Sequence, residues 1–334
     1  YAFHLDAGLY AAFLRRLAES HGVKREEGKI QHVLQDPSSG FITALKMASG
    51  KEIKGDLFLD CTGFRGLLIE QTLHTGYEDW SRWLPCNKAV AVQTESVGPA
   101  VLYTRSVAHK AGWRWQIPLQ HRVGNGLVFC DSYMSEDEAV SKLLHEIEGN
   151  ALTEPRIIRF RTGKRRKNWN KNCVAIGLAT GFLEPLESTS IHLVMTALTR
   201  LLQLFPGGEI CPSIIEEYNK QAEKEIERIR DFIILHYKVT DREDSSFWRY
   251  CKNMDVPEEL AHRIRLFQET GKSYQVEGEL FRLDSWTQVM LGQGLYPAQY
   301  HPIVNTMKRH DLEQFLKGLQ DNIANLVEKL PVHD

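Results

Sequence analysis

Hydrophobic residues recur at two spacings along this chain, one typical of helices and one typical of strands. After Asp6, apolar residues return every three or four positions as far as Gly22, which predicts an amphipathic helix with an acidic N-cap and a glycine stop. Residues 29–34 and 41–48 are rich in strand-forming side chains and flank a turn sequence at 37–40. Together these two segments predict a β-hairpin.

Several further apolar runs predict strands before residue 190. The run at 56–61 is almost continuous, which is typical of a strand buried on both faces. The glycine-rich residues 124–126 predict a tight turn between strands at 114–118 and 127–131. Residues 135–149 predict an amphipathic helix with acidic residues in its first turn. The other predicted strands cover 89–95, 101–108, 156–161 and 173–176.

After residue 188 the pattern becomes mostly helical. Apolar residues at helical spacing predict helices over 191–205, 214–237, 257–270 and 311–330. Pro206, Gly207 and Gly208 interrupt this pattern and predict a boundary. The chain is therefore expected to be α/β (α+β), with a mixed-sheet part over residues 1–205 and a mostly helical part over 206–334.

Composition and charge narrow the class of protein. With 334 residues, 43% of them apolar and 25% charged, the chain is long enough for about two globular domains. Its 41 basic and 43 acidic residues give a net charge of -2. This balance predicts no nucleic-acid or anionic-membrane partner, and no apolar run reaches the ~20 residues that a membrane span needs. We interpret the basic stretch 161–171 as a solvated loop.

The cysteines and histidines do not predict a metal site. The six cysteines are scattered without a CxxC pair, so we expect small buried thiols in a reducing, cytoplasmic compartment. His121, His192 and His301 lack the spacing of metal ligands. The chain opens at Tyr1 on sequence that resembles the middle of a domain, which predicts a preceding N-terminal segment.

The first candidate for chemistry is the stretch 177–190, between a predicted strand and a predicted helix. The helix is expected to begin near Ser188 or Thr189, where free amides and small residues suit an anion. Glu184 and Glu187 lie at the same place and are candidates for acid–base work. An ordinary strand–turn–helix, with Ser188 as N-cap and Glu187 solvated, is the open alternative.

The second candidate is the segment Gly112-Trp-Arg-Trp-Gln-Ile-Pro118. If this segment is a strand, Trp113 and Trp115 point to the same face and form a wall of two large rings. Such a wall could line a planar ligand or close a tunnel. An ordinary pair of core tryptophans is the alternative.

The third candidate lies late in the helical part. Phe281, Ser285 and Trp286 occur close to glycines, and aromatic residues in such surroundings can form a pocket. Simple packing between helices is the alternative.

Four motifs occur together in the order found in one enzyme family. They are Tyr1 to Gly22, Asp60-Cys-Thr-Gly-Phe-Arg-Gly66, the Gly-Trp-x-Trp-x-Ile-Pro pattern of Gly112 to Pro118, and Glu184-Pro-Leu-Glu-Ser-Thr189. Over essentially its whole length the chain resembles the flavin-dependent halogenases of the tryptophan-halogenase type. The resemblance implies a flavin-monooxygenase-like mixed-sheet module and a helical substrate module. The family's dinucleotide fingerprint and its halogen-carrying lysine would lie upstream of Tyr1.

The resemblance also implies a reaction and its components. Members of that family take reduced FAD from a separate flavin reductase and use it with oxygen and chloride or bromide to make hypohalous acid. The hypohalous acid reaches a separate aromatic substrate through a tunnel. An indole-like or tryptophan-like small molecule is therefore the implied substrate, and a homodimer is left open.

The resemblance implies the following site residues, grouped by role. Catalysis is expected from Glu187 and Ser188, and halide binding from Thr189 and Ser190. The cofactor is expected to contact Leu178, Ile191, Ile30 and Gly63. Trp113, Trp115, Ile117 and Pro118 would separate flavin from substrate, and Phe281, Ser285 and Trp286 would contact substrate. Glu187 would position the halogenating species or take the ring proton, whereas Glu184 is expected to matter less to turnover.

Two departures from the family pattern bear on specificity. Ser190 stands where the family motif usually has glycine, and the segment 270–283 is shorter than the insert that clamps free tryptophan. A larger aromatic molecule in a more open site is therefore an equal expectation. The rival interpretations are an aromatic hydroxylase of the same flavoprotein class and a non-catalytic module that binds aromatic ligands.

Overall fold

The helices confirm the predicted mixed character of the chain. The computed structural model describes residues 3–331, so Tyr1 and Ala2 of the first motif and residues 332–334 lie outside it. The helices it describes are α1 (Ala7–Ser20), α2 (Glu136–Glu146), α3 (Ser190–Gln203), α4 (Pro212–Lys238), α5 (Ser246–Asn253), α6 (Glu258–Thr270), α7 (Leu283–Gly292) and α8 (Arg309–Glu328). Of these, α5 and α7 escape prediction because 8 and 10 residues are too few for a clear helical period.

The strands of the described chain form four sheets. They are β1 (Ile30–Gln35), β2 (Ile42–Met47), β3 (Glu52–Lys54), β4 (Phe58–Asp60), β5 (Tyr77–Asp79), β6 (Lys88–Thr94), β7 (Arg105–His109), β8 (Gly112–Pro118), β9 (Val123–Phe129), β10 (Arg156–Arg159), β11 (Gly163–Arg165), β12 (Trp169–Asn170), β13 (Cys173–Ala175) and β14 (Gly181–Phe182). The sheet orders are β1–β2–β3, β10–β6–β9–β8–β7, β14–β11–β5 and β12–β13–β4. The described strand pairs are antiparallel, except that β4 and β13 are parallel.

The N-terminal helix and hairpin form as predicted. Asp6 caps α1 by accepting hydrogen bonds from the amides of Gly8 and Leu9 at 2.8 and 3.0 Å. Strands β1 and β2 pair as an antiparallel hairpin. No residue of α1 is buried, so its apolar stripe, including Leu9 and Phe13, is exposed.

The five-stranded sheet carries the tryptophan pair on β8. The glycine-rich residues 124–126, predicted as a turn, lie inside β9 instead. The chain turns earlier, where the Leu119 amide donates to the Arg122 carbonyl at 2.8 Å. Gly126 lies opposite Trp115, and a Cβ there would overlap the indole ring. This glycine therefore makes room for a side chain on the neighbouring strand, and the turn prediction is wrong.

Strand β4 leads into a loop that the sequence links to the cofactor. Leu59, in the middle of β4, is 43% exposed, so the prediction of burial on both faces is wrong. Asp60 is fully buried and accepts hydrogen bonds from the amides of Leu68 and Ile69, both at 2.8 Å. These bonds fix the intervening loop, which contains the 3₁₀ turn Gly63–Arg65.

The basic stretch 161–171 is folded, which overturns its interpretation as a solvated loop. Lys164 and Arg165 are only 3% and 7% exposed and belong to β11. Lys164 pairs with Glu223 of α4, and Arg165 donates to Glu70 at 2.8 Å. The compensating carboxylates come from distant positions in the chain, so the local run of charge is misleading.

The largest core joins the sheet to the helical part. Trp113 and Val128 of the five-stranded sheet are buried together with Phe232 and Tyr237 of α4 and Trp286 of α7. Side chains from both sides of residue 205 therefore pack in one cluster. The division into two modules stays a prediction.

Other expectations concern cysteines, metals and membranes. Cys86, Cys130, Cys173 and Cys251 are buried as predicted, whereas Cys61 and Cys211 are exposed, so the prediction is wrong for these two. Across residues 3–331, no cluster of three or more His, Cys, Asp or Glu side chains could hold a metal ion. The helices within that range are too short or too polar to span a membrane.

Candidate active site

The stretch 177–190 forms two 3₁₀ turns on the way into α3. The first turn, Gly177–Ala179, follows β13, and the second, Pro185–Glu187, comes after the short strand β14. The second turn ends at Ser188, which has a left-handed backbone with φ of 52°. This conformation is uncommon for a residue with a side chain and redirects the chain toward the helix.

The start of α3 offers backbone amides without a side-chain cap. The helix begins at Ser190, and its N-cap residue Thr189 makes no side-chain capping hydrogen bond, so the alternative with Ser188 as N-cap is wrong. Amides in a first turn have no acceptor within the helix and lie at the positive end of its dipole. No acidic residue occupies this first turn. This end of α3 is therefore suited to a small anion.

Glu187 is held by a histidine that sequence analysis did not find. Its Oε1 lies 2.9 Å from Nε2 of His236, and Nδ1 of the same ring lies 2.9 Å from the Phe232 carbonyl oxygen. Because a carbonyl oxygen can only accept, Nδ1 carries a proton. Nε2 of the same ring faces the Glu187 carboxyl group, so a proton can pass between the two groups. Glu187 is therefore placed to give or take a proton. No local sequence signal marks His236.

The two tryptophans of β8 share one face, as the alternation predicts. Their ring centroids lie 5.9 Å apart with planes tilted by 53°. Trp113 is buried at 3% exposure, and Trp115 is half-buried and packs against the same core. Ile117 and Pro118 continue the strand, and the Pro118 carbonyl lies 3.0 Å from Nδ1 of His4.

Glu184 is fully buried, which the sequence did not reveal. Its Oε1 accepts a hydrogen bond from the Tyr237 hydroxyl at 2.5 Å. Burial raises the pKa of Glu184 to about 7, although hydrogen bonding by Tyr237 and Trp113 opposes the rise. Trp113 interacts with Glu184 more weakly than Tyr237 does. Neither the indole Nε1 of Trp113 nor Oε2 of Glu184 forms a hydrogen bond of full geometry. The Glu184 carboxyl therefore links the tryptophan wall to α4.

The residues predicted to contact substrate surround Phe232 of α4. Phe281 stacks on Phe232 with ring centroids 3.9 Å apart, and Trp286 meets Phe232 edge-on at 4.9 Å. Phe232 also contacts the ring of His236 at 5.1 Å. Ser285 lies half-buried on α7 next to Trp286, which is 2% exposed. A line of aromatic rings thus runs from the predicted substrate region to the histidine that holds Glu187.

Two predicted cofactor segments meet beside one cleft. The turns Gly63–Arg65 and Gly177–Ala179 pack together, and a cleft of about 280 Å³ opens next to them. Its lining consists of Phe64, Tyr77, Arg159, Phe160, Arg161, Arg165, Leu178 and Gly181. Leu178 and Phe64 are 38% and 42% exposed. Exposed apolar side chains beside guanidinium groups fit a flat ring that carries phosphates, so this cleft is compatible with a flavin nucleotide.

The other two predicted cofactor residues are not among the residues that line this cleft. Ile191 is 47% exposed on the first turn of α3, close to the predicted halide amides. Ile30 begins β1 opposite Met47, in a different sheet. The structure therefore brings together the two turns that contain Gly63 and Leu178.

Comparison with known proteins identifies relatives over nearly the whole chain. The profile of the tryptophan halogenase family matches residues 1–309. Tryptophan 7-halogenase RebH of Lentzea aerocolonigenes is 33% identical, and tryptophan 6-halogenase ThaL of Streptomyces albogriseolus is 38% identical, each over 99% of this chain. The chain spans 66% of the length of each of these two relatives.

Solved structures agree with this result. A flavin-dependent halogenase from Xanthomonas campestris is 54% identical with a TM-score of 0.97, covering 99% of this chain and 67% of that one. The flavin-dependent halogenase BrvH from a Brevundimonas species is 48% identical with a TM-score of 0.95, covering 98% and 67%. The predicted fold class and the predicted resemblance are confirmed. The chain belongs to the tryptophan halogenase family.

Proposed function

We propose that the full-length protein halogenates a small indole-like or tryptophan-like aromatic molecule, using reduced FAD, oxygen and chloride or bromide. The observation that carries this proposal is the placement of Glu187. Its carboxyl group lies in the turn that leads into the uncapped amides of α3, and its Oε1 lies 2.9 Å from Nε2 of His236. Aromatic halogenation needs a base close to the halogen source, because the ring gains a halogen and must lose a proton.

One group of residues in this chain would bind the flavin, and a second group would separate the flavin from the substrate. FAD, when bound, would supply the oxidising chemistry that converts halide into a halogenating agent. Leu178 and the Gly63 turn would hold it, with Ile191 near the halide. Trp113 and Trp115 would stand between flavin and substrate, and Ile117 and Pro118 would extend this wall. The wall would keep the two reactions apart and exclude water.

The last step would be proton removal from the halogenated ring carbon. The ring carbon would bond to the halogen of hypohalous acid as the halogen–oxygen bond breaks and hydroxide leaves. That carbon is then tetrahedral, and its carbon–hydrogen bond breaks. The bonding pair returns to the ring, and the proton passes to the Glu187 carboxylate. His236 can share this proton through the contact at 2.9 Å. Ser188 would contribute by holding Glu187 at the end of its turn.

The halide and the substrate would both bind close to Glu187. The amides of Thr189 and Ser190 would bind chloride or bromide at the helix start. The Ser190 side chain is exposed, so it adds no buried bulk at the position where the family usually has glycine. Phe281 and Trp286, with Ser285 between them in sequence, would contact the aromatic substrate.

The proposal includes two kinds of protein partner. A separate flavin reductase would deliver reduced FAD as a transient partner, and a homodimer stays a prediction. The relatives RebH and ThaL are named as halogenases of tryptophan. The short segment 270–283 favours testing larger indoles alongside tryptophan itself.

The test uses the full-length protein with a flavin reductase, oxygen, bromide or chloride, and a panel of indoles. Mass spectrometry of the products should show halogen incorporation that requires reduced FAD and halide. A hydroxylated ring formed without halide would favour the aromatic hydroxylase instead. Binding of aromatic ligands without any turnover, in a protein loaded with FAD, would favour the binding module.

Glu187→Gln tests the residue at the centre of the proposal. We expect folding and FAD binding to stay nearly intact while halogenation falls by roughly 10²-fold or more, as for lost acid–base assistance. Glu138→Gln is the matched control, because Glu138 is a carboxylate at the start of another helix, where it forms a capping box with Ser135. This control should lower the free energy of unfolding by no more than about 2 kcal/mol and leave the rate of halogenation unchanged. Equal rates for Glu187→Gln and wild type would remove Glu187 from the mechanism.

A further inference from the structure

Glu184 lies in a buried, largely apolar environment, which is unfavourable for a carboxyl group. It is 0% exposed and lies against a core of apolar and aromatic side chains. Burying such a group is unfavourable, and an apolar residue of similar size is often neutral or more stabilising at such positions. The chemistry proposed above uses Glu187 and gives Glu184 no part. Its burial therefore calls for a separate explanation.

The contacts of Glu184 connect two elements of the candidate site. Its Oε1 accepts the hydroxyl proton of Tyr237 on α4 at 2.5 Å. The same hydroxyl lies 3.6 Å from Sγ of Cys86, which also belongs to the core. The indole of Trp113 lies near enough to the carboxyl group to lower its pKa, but Trp113 Nε1 and Glu184 Oε2 form no full hydrogen bond. The buried Glu184 side chain is thus hydrogen-bonded to α4 and lies near the first tryptophan of the wall.

The turn that carries Glu187 is fastened at both ends to consecutive residues of α4. Glu184 directly precedes the turn Pro185–Glu187 and is held by Tyr237. Glu187 ends the turn and is held by His236 at 2.9 Å. Pro185 has a fixed φ and limits the freedom of the short connection. A change at Glu184 is therefore expected to be transmitted to Glu187.

We propose that Glu184 is a positioning residue: fastened to Tyr237 and directed at Trp113, it sets where the Glu187 carboxylate lies relative to the tryptophan wall. This inference rests on the proposed function, since the position of Glu187 matters only if Glu187 acts on the substrate. Catalysis is sensitive to such placement, because a displacement of about 1 Å can cost roughly 10²-fold in rate.

The central experiment compares Glu184→Gln in two backgrounds of the full-length, FAD-loaded protein. Alone, the substitution should lower kcat for halogenation by about 10-fold or more, while KM for the aromatic substrate changes less than about twofold. Tyr237→Phe should give the same split between kcat and KM. Added to Glu187→Gln, Glu184→Gln should cause no further loss, because the group that it positions is already gone.

A second measurement needs no activity. Urea unfolding of Glu184→Gln, Tyr237→Phe and the double variant should show a combined midpoint shift smaller than the sum of the single shifts. Asp231→Asn is the matched control: Asp231 is 7% exposed on the same helix but accepts its hydrogen bond from Arg230 at 2.8 Å, not from a residue of the turn. It should shift the unfolding midpoint and leave kcat unchanged.

The outcomes distinguish a positioning role of Glu184 from a purely structural one. The inference is overturned if Glu184→Gln and Tyr237→Phe keep the wild-type kcat, or if Glu184→Gln costs the same factor with and without Glu187. It is also overturned if the midpoint shifts are additive. If wild type makes no halogenated product, the proposed function fails, while the unfolding cycle still tests the Glu184–Tyr237 link.

Discussion

Replacing Gly126 by alanine tests whether this glycine exists to seat the indole of Trp115. Gly126 lies in β9 directly opposite Trp115 of β8, and its backbone has no left-handed φ. The strand itself would therefore tolerate a side chain. A Cβ at this position, however, would have three atoms of the Trp115 ring within 2.5 Å.

The size of the effect follows from that overlap. Carbon atoms in contact sit about 3.5–4.0 Å apart, so the ring or the strand must move by at least about 1 Å. Overpacking of this kind typically costs about 1–3 kcal/mol. Moving the ring would also weaken its contact with Trp113, which lies 5.9 Å away and is worth about 0.5–1.5 kcal/mol in comparable pairs. We expect Gly126→Ala to lower the free energy of unfolding by about 1–3 kcal/mol.

The chain offers a matched control two positions away. Gly124 lies in the same strand, and a Cβ there would have its nearest neighbours at 3.7 Å, which is ordinary contact. Gly124→Ala should be neutral or stabilising, since alanine lowers the entropy of the unfolded chain. Urea unfolding measures both variants, and near-ultraviolet circular dichroism reports whether the tryptophan pair has moved.

Trp115→Ala completes the cycle. With the indole removed, Gly126→Ala should lose its cost and become neutral or stabilising, like Gly124→Ala. The reasoning is refuted if Gly126→Ala behaves like Gly124→Ala in wild type, or if its cost persists without Trp115.

The remaining predictions concern buried ionisable groups. Glu279 and Arg263 form an ion pair at 2.6 Å with both side chains 3% exposed, so Glu279→Gln should cost about 3–5 kcal/mol in urea unfolding. Glu258→Gln, which breaks an exposed pair, should cost less than about 1 kcal/mol, and equal costs would contradict the role of burial. Burial lowers the pKa of His109 from 6.5 to about 4, so the unfolded chain takes up this proton first as the pH falls. The free energy of unfolding should therefore fall by roughly 3 kcal/mol as the pH is lowered from about 6.5 to 4. Urea unfolding curves collected over this pH range should show that His109→Gln removes this fall. An unchanged dependence on pH would exclude His109 as the cause.

Local physics made much of the N-terminal half predictable. The Asp6 cap needs only the amides of the next few residues, and the β1–β2 hairpin needs only neighbouring segments. Strand alternation alone placed Trp113 and Trp115 on one face, and the structure confirms it. The family motifs added the role of Glu187 as an expectation.

Interactions between distant segments account for the errors and the omissions. Residues 124–126 look like a turn because glycine favours turns, yet Gly126 is required by a ring on the opposite strand. Lys164 and Arg165 look solvated because their carboxylate partners lie far away in the sequence. In each case the local composition is typical of the predicted structure, but a side chain that is distant in the sequence decides the conformation or the burial.

In the candidate site, too, some features follow from the local sequence and others from contacts between distant segments. The sequence determined that two glutamates flank a short turn before a helix, because spacing and residue type are local properties. Only the tertiary structure decided that Glu184 is buried against Tyr237 and that Glu187 meets His236, because α4 reaches this turn through long-range packing. Burial and hydrogen-bond partners set the protonation of a carboxyl group, and both depend on which remote side chains surround it.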